Sequence, residues 1–278
     1  QQRGIGPGGH SYRAAISACE KGGQWERALA LLEEMQQRGI EPDVISYSAT
    51  ISACEKGGQT EKALSLLEEM QQRGIEPNVI SYSAAISACE KGGQTEKALS
   101  LLKEMQQRGI EPTVISYSAA ISACEKGGQT EKALSLLKEM QQRGMEPDVI
   151  SYSSAIQACA TAVQPGPALQ LFDQLEASPV DTDRVCFNAI LDAVASAEPA
   201  RARKLWKLGC SRDCYEGLER WGAVPALDLH ELSEGAAETA VRWWLEERVP
   251  DRVTSAADAA PTRLELITGW GKSRAVFQ

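Results

Sequence analysis

No stretch of this 278-residue chain approaches the eighteen or more consecutive apolar residues of a bilayer-spanning helix, which excludes a helical membrane domain. Basic residues are also in short supply, with 29 Lys and Arg against 38 Asp and Glu and a formal charge of −9. That deficit weighs against a partner recognised by phosphate neutralisation alone. It is not a veto, because an elongated molecule can gather its cations on one face and its acids on another. Cys210 and Cys214 form a C-x3-C with no second pair, so a four-ligand zinc site is not read here. Disulfides are disfavoured too. Cys19, Cys54, Cys89, Cys124 and Cys159 recur once per 35 residues, and equivalent positions in stacked repeats lie about 10 Å apart, too far to bridge. Each reads as a small buried hydrophobe, and a reducing compartment fits best.

An initiator Met is missing as well. The opening Gln1-Gln2-Arg3-Gly4 repeats Gln71-Gln72-Arg73-Gly74, so residues 1–8 are expected to be the end of a preceding unit, with any targeting peptide upstream. With 43% hydrophobic and 24% charged residues, the rest has the composition of a packed protein. Val44–Asn78, Val79–Thr113 and Val114–Asp148 are three nearly identical 35-residue units. Gly9–Asp43 and Val149–Asp183 are diverged copies, and a degenerate sixth spans 184–218. Each reads as a helical hairpin. Tyr47, Ile51 and Cys54 form one stripe, and Ala63, Leu66, Leu67 and Met70 a second. Gly57-Gly58 ends the first helix, Thr60 is expected to cap the second, and Gly74 with Pro77 stops it. A lone hairpin cannot bury both stripes, whereas stacked neighbours can. The period is wrong for tetratricopeptide repeats, and Trp-x2-Leu-Gly is found in no unit.

The Val-Ile-Ser-Tyr-Ser opening and the Met-Gln-Gln-Arg-Gly-Ile-Glu-Pro-Asp type of close resemble the pentatricopeptide repeat over residues 9–218. The resemblance implies an all-α, right-handed α-solenoid that binds single-stranded RNA with one base per repeat. It also implies the reading residues. Fifth positions are Arg13, Ser48, Ser83, Ser118, Ser153 and Asn188, and last positions are Asp43, Asn78, Thr113, Asp148 and Asp183. Position two, where a branched aliphatic sandwiches the base, holds His10, Ile45, Ile80, Ile115, Ile150 and Val185. Units three and four differ only at Ile110 against Met145 and at Thr113 against Asp148, so the last position changes chemistry on a fixed scaffold. Carried over, the family's code assigns A to Ser48/Asn78 and G to Ser118/Asp148 and Ser153/Asp183, giving 5′-A-N-G-G-3′. Ser83/Thr113 and Arg13/Asp43 fall outside the code. Lys21, Lys56, Lys91 and Lys126 recur at position 13 as phosphate candidates. Arg38, Arg73, Arg108 and Arg143 are read as helix-end cations.

From about Ala223 the period disappears. Leu227-Asp228-Leu229-His230 reads as a strand, Ala236–Glu247 as a helix with Ser233 as N-cap, and Leu264–Ile267 as a second strand entering Thr268-Gly269-Trp270-Gly271. This βαβ-like order over 223–278 resembles a small, truncated α/β domain of the small MutS-related (Smr) type. The resemblance implies acid–base or metal-binding roles for Asp228 and His230, and phosphate approach at Gly269 and Gly271. Lys272-Ser273-Arg274 stands where many members place a His. Three function classes follow: RNA binding in organellar RNA processing, stability or translation, in a chloroplast or mitochondrion; a protein-binding helical scaffold; and an RNA endonuclease. No cofactor is expected, apart from a divalent metal if the C-terminal module is active. Single-stranded RNA is the expected partner, with no membrane, and the convex face is left for proteins.

Overall fold

The structure, a computed structural model, describes residues 8–220, 225–250, 264–267 and 274–277. Two helices form in each sequence unit: α1 (Gly9–Lys21) and α2 (Trp25–Gln37), α3 (Val44–Lys56) and α4 (Thr60–Gln72), α5 (Val79–Lys91) and α6 (Thr95–Gln107), α7 (Val114–Lys126) and α8 (Thr130–Gln142), α9 (Val149–Thr161) and α10 (Pro165–Glu176), and α11 (Arg184–Val194) and α12 (Pro199–Ser211). Contacts divide the chain into Gln1–Ser151 and Tyr152–Gln278, a division that falls inside α9.

Within the Gln1–Ser151 part, the expected stripes are the core. Tyr47, Ile51 and Cys54 of α3 are fully buried, and so are Ser46, Thr50 and Ala53. The first helix of each pair is therefore covered on several sides, α3 packing on α1, α4 and α5. Its buried hydroxyls are satisfied locally: Thr50 Oγ1 donates to the Ser46 carbonyl (2.8 Å) and Ser46 Oγ to Asp43 Oδ1 (2.9 Å). In α4, Ala63, Leu66, Leu67 and Met70 are buried while Glu61, Lys62 and Glu68 remain outside. The thiols of Cys54, Cys89 and Cys124 are free, and burial pushes each up to about 11, so they act as apolar filler.

Thr60 does not cap α4. It is the first helical residue, behind Gln59, and its Oγ1 instead donates to the Ala88 carbonyl of the next repeat at 2.9 Å. Thr95 makes the same bond to Ala123 at 2.7 Å. The hydroxyl is thus a staple between repeats, and it explains the paired glycines. Gly93 takes a φ of +67°, which favours glycine. Gly92 does not, but a Cβ there would lie 2.5 Å from Thr60 Oγ1, so glycine is needed for close approach.

The Tyr152–Gln278 part adds, among the described residues, a four-stranded sheet in the order β1 (Glu219–Arg220), β2 (Ala226–Asp228), β3 (Leu264–Ile267) and β4 (Arg274–Phe277). β2 and β3 pair in parallel around α13 (Glu234–Trp243), while β1 and β4 are antiparallel edges that the sequence reading did not anticipate. β2 stops at Asp228 rather than running to His230, because Asp228 Oδ1 accepts the His230 backbone N–H (3.0 Å) and turns the chain out of the sheet. α13 begins before Ala236 and passes into a π-helical turn, Trp244–Arg248. Ser233 gives α13 no side-chain cap. Gly235, Ala236, Thr239, Ala240 and Trp244 form its buried face, and Leu245 is exposed.

Candidate nucleic-acid interface

In units one to five the last residue is the N-cap of the next unit's first helix. Asp43 Oδ1 accepts the Ser46 N–H at 3.0 Å, and Asp148 Oδ1 the Ser151 N–H at 2.8 Å. Asn78 Oδ1 accepts both Ile80 and Ser81 N–H at 3.0 Å, Thr113 forms a capping box with Ser116, and Asp183 Oδ1 accepts the Cys186 N–H at 2.9 Å. Asp, Asn and Thr are all good N-caps, so capping alone accounts for why only these residues occupy the position. It does not account for which of them occurs in a given unit.

The fifth and last positions do meet. Ser48 Oγ donates to Asn78 Oδ1 (3.2 Å), and Ser118 Oγ to Asp148 Oδ1 (3.0 Å). Ser83 reaches its partner Thr113 only through Ser116, whose Oγ lies 2.7 Å from Ser83 Oγ and 3.3 Å from Thr113 Oγ1. These serines are nearly covered, Ser48 being 3% exposed. What remains for a ligand is the other end of the last residue. Asn78 Nδ2 and Asp148 Oδ2 make no hydrogen bond among the described residues, so one unit offers two donors and another an acceptor. In the first unit Arg13 donates to Asp43 Oδ2 at 2.8 Å and lies 2.9 Å from His10 Nδ1, closing that pair on itself. Burial pushes the Asp43 carboxyl up, but the Ser46 amide and hydroxyl and Arg13 outweigh it and hold it below its ordinary value. Ser153 is buried and Asp183 exposed. In the sixth unit both ends of the Asn188 amide are taken, Nδ2 donating to the Glu231 carbonyl and Oδ1 accepting from Tyr215.

Position two stands out by exposure. Ile45, Ile80, Ile115 and Ile150 are 51%, 55%, 64% and 53% exposed, and Val185 is exposed likewise, in helices whose other large apolar residues are mostly buried. One uncovered branched side chain per repeat is a regular apolar ladder. The position-13 lysines are less available. Lys56, Lys91 and Lys126 each pair with a glutamate of the preceding repeat, Glu20, Glu55 and Glu90. Arg73, Arg108 and Arg143 lie one residue past the helix ends as C-caps and pair with Glu69, Glu104 and Glu139.

One family model, described as the pentacotripeptide-repeat region of PRORP, matches residues 2–164, and a second, a pentatricopeptide repeat domain, matches residues 135–196. The chain belongs to the pentatricopeptide-repeat family. Among solved structures, the pentatricopeptide repeat protein PPR10 from maize is 27% identical, with a TM-score of 0.53, over 76% of this chain and 30% of its own length. The pentatricopeptide domain of protein-only RNase P 1 from Arabidopsis thaliana, solved with tRNA, is 17% identical over 70% of this chain and 95% of its own, with a TM-score of 0.55. Nuclear protein-only RNase P 2 from A. thaliana is 13% identical over 73% of this chain and 47% of its own, with a TM-score of 0.59. At such identities the two RNase P likenesses show the fold alone. The chain spans about a third of the length of the maize structure. Comparison with curated proteins gives no match.

Sequence reasoning missed one component of this pentatricopeptide array. Gln36 Nε2 donates to Tyr47 OH (3.1 Å) and to Glu69 Oε1 (3.0 Å), and Tyr47 OH donates to Glu69 at 2.8 Å. The same triad recurs as Gln71, Tyr82 and Glu104 and as Gln106, Tyr117 and Glu139. Only the 35-residue recurrence of these three letters signals it in the sequence. Burial, then the neighbouring glutamate, pushes Tyr47, Tyr82 and Tyr117 up to about 12. A folded-state value above the unfolded value of 10.0 stabilises the fold below pH 10, and that contribution is lost as pH rises towards 12. The urea midpoint of the pentatricopeptide array is therefore expected to fall between about pH 10 and 12, and to fall less in a Tyr47→Phe, Tyr82→Phe, Tyr117→Phe variant. Equal slopes for parent and variant would refute the assignment.

The α/β part of this pentatricopeptide protein lies beyond both family-model matches. Asp228 is buried, its Oδ1 2.5 Å from His230 Nδ1 and its Oδ2 2.5 Å from Arg220. Burial raises the Asp228 carboxyl, but His230 and Arg220 outweigh it and hold it below its usual range. One oxygen of Asp228 thus holds the half-exposed His230 ring and the other the Arg220 guanidinium. Gly269 and Gly271 lie outside the described residues.

Proposed function

We propose that the chain binds single-stranded RNA, one base per repeat, and selects bases through the outward ends of Asn78, Thr113, Asp148 and Asp183. The observation that carries this is the exposed position-two isoleucine of units two to five, together with the last residues Asn78 and Asp148, each of which gives one atom to a helix N-terminus and keeps another for a partner. A base lying on Ile80 or Ile115 would have an apolar wall under its face and a polar group at its edge. The amide donors of Asn78 suit the N1 acceptor of adenine, and the second oxygen of Asp148 suits the N1–H and N2–H2 donors of guanine. This supports the assignment 5′-A-N-G-G-3′ across units two to five. It also answers the unfavourable charge, because binding of this kind rests on stacking and edge contacts more than on cations, and three of the four position-13 lysines are already paired.

Selection from a randomised single-stranded RNA pool tests the reading. A four-position motif should be enriched, and Ile80→Asp or Ile115→Asp should each weaken binding about tenfold, roughly 1.4 kcal/mol. An unenriched pool together with capture of extended peptides would replace the reading with the protein-binding scaffold. By family resemblance the setting is a chloroplast or mitochondrion, with RNA processing, stability or translation as the outcome. The C-terminal unit supports a second reading as a small MutS-related module, carried by the Asp228-held ring of His230 as acid–base group. On that reading the selected RNA, end-labelled, is cut by the parent with Mg²⁺ and left whole by His230→Ala.

A further inference from the structure

Unit six carries a fifth-position residue of reading type, Asn188, yet its surroundings differ from those of every earlier unit. Its own last position, counted from Arg184, is Leu218, a buried apolar residue with no cap to give and no outward polar end. Where the next repeat's first helix would begin, the chain instead brings the turn before α13. Asn188 Nδ2 donates to the Glu231 carbonyl at 2.9 Å, and Tyr215 OH donates to Asn188 Oδ1 at 3.1 Å. Arg184, at position one of the unit, pairs with the Glu231 carboxylate and donates through Nε to the Cys214 carbonyl at 2.6 Å.

The helix behind that turn is seated as a repeat helix would be. Gly235 N–H donates to Asp192 Oδ1 at 2.8 Å, so a carboxylate of α11 satisfies a free amide in the first turn of α13. Ser233 Oγ donates to the Asn188 carbonyl at 3.3 Å. A Cβ on Gly235 would lie 2.6 Å from the Asp192 Cα and from the Leu191 carbonyl oxygen, so only glycine lets the two helices come this close. Glu231 has a φ of +64°, a left-handed conformation that a glutamate adopts only when its surroundings impose it. The imposed conformation is the one that points its carbonyl at the Asn188 amide.

We infer that the Glu231 turn and α13 take the place of a seventh repeat and fill the base-reading position of unit six, so that the RNA track ends with Ser153 and Asp183. The inference rests on the one-base-per-repeat reading and adds where that reading stops. The α/β module is in this respect the terminal cap that a stacked-repeat protein needs, built so that it also occupies the last reading position. Asn188 is a positioning residue for the module and not an RNA contact.

Two measurements on the full 278-residue chain test this. In selection from the randomised single-stranded RNA pool, Asn188→Ser should leave the enriched motif unchanged, while Asp183→Asn should shift one place from G towards A. A shift of the neighbouring nucleotide in Asn188→Ser overturns the inference. Silence of Asp183→Asn as well marks failure of the base reading itself, and the second measurement then decides the docking alone. In hydrogen exchange, Asn188→Ala should speed exchange of the amides across Glu234–Trp243 by about tenfold, with those of α3 and α5 unchanged. Unchanged α13 rates overturn the docking. If Asn188→Ala unfolds unit six, Tyr215→Phe, which removes one of the two bonds to the amide, carries the same comparison.

Discussion

Asp148→Asn is expected to turn the preferred base at one position of the bound RNA from G to A, changing the ratio of the two affinities by about tenfold, near 1.4 kcal/mol. Stability should stay within about 0.5 kcal/mol of the parent. The substitution separates the observed helix cap from the proposed base contact of this side chain. Asn78 shows that an amide oxygen can do everything Asp148 Oδ1 does: it caps the following helix at 3.0 Å and accepts from the fifth-position serine at 3.2 Å. The exchange therefore leaves the cap and the Ser118 contact in place, and converts only the atom outside them from an acceptor to a donor. Asp148→Ala is the contrast. It strips the cap from α9, costs about 1 kcal/mol, and leaves Ser118 without its carboxylate partner. Selection profiles and urea midpoints for parent, Asn and Ala variants provide the check. An Asn variant with the parent's profile would reduce Asp148 to a helix cap.

A larger loss of stability is expected from Gly92→Ala, about 2 kcal/mol. The new methyl would lie 2.5 Å from Thr60 Oγ1 and 3.0 Å from both Thr60 carbons. Thr60 cannot swing away at low cost. Its χ1 is stiff because it is β-branched, and its hydroxyl is bonded to the Ala88 carbonyl. The strain falls on the seam between units two and three. In a protein whose stability is a sum of repeats and nearest-neighbour seams, that weakens cooperation between the two halves of the array. Thermal unfolding should broaden or split, and Thr60→Ala in the Gly92→Ala background should recover part of the loss by removing the obstructing side chain. A single transition at the parent's midpoint would show that the seam tolerates the methyl.

The helices, their buried stripes and the unbridged cysteines were legible because the 35-residue self-similarity repeats each signal several times. The jobs of individual polar residues were not. Asp, Asn and Thr are residue types that suit a helix N-terminus and a base edge equally, so the sequence offers no means of telling the two apart. Thr60 looks like a cap from its place before a helix, and only the stacking shows that its hydroxyl reaches the next repeat. Lys56 resembles a free cation until Glu20, 36 residues earlier, is seen beside it. Asn188 carries the right letter in the right register, and its amide is engaged by a carbonyl 43 residues downstream. For Thr60, Lys56 and Asn188 the partner lies far away in sequence, where periodicity within one unit cannot reveal it.

The Thr60 and Thr95 staples have a consequence beyond stability. The seam between units two and three and that between three and four are built from the same residues, threonine to carbonyl and Gln–Tyr–Glu across the junction. A unit such as Val79–Thr113 therefore meets, on either side, a surface it already fits. In genetic terms the segment is a cassette: duplicating or deleting 35 codons in register lengthens or shortens the array by one unit and creates no foreign junction. On the proposed one-base-per-repeat reading, the length of the recognised message would change by recombination, and its letters by point substitution at one codon per cassette.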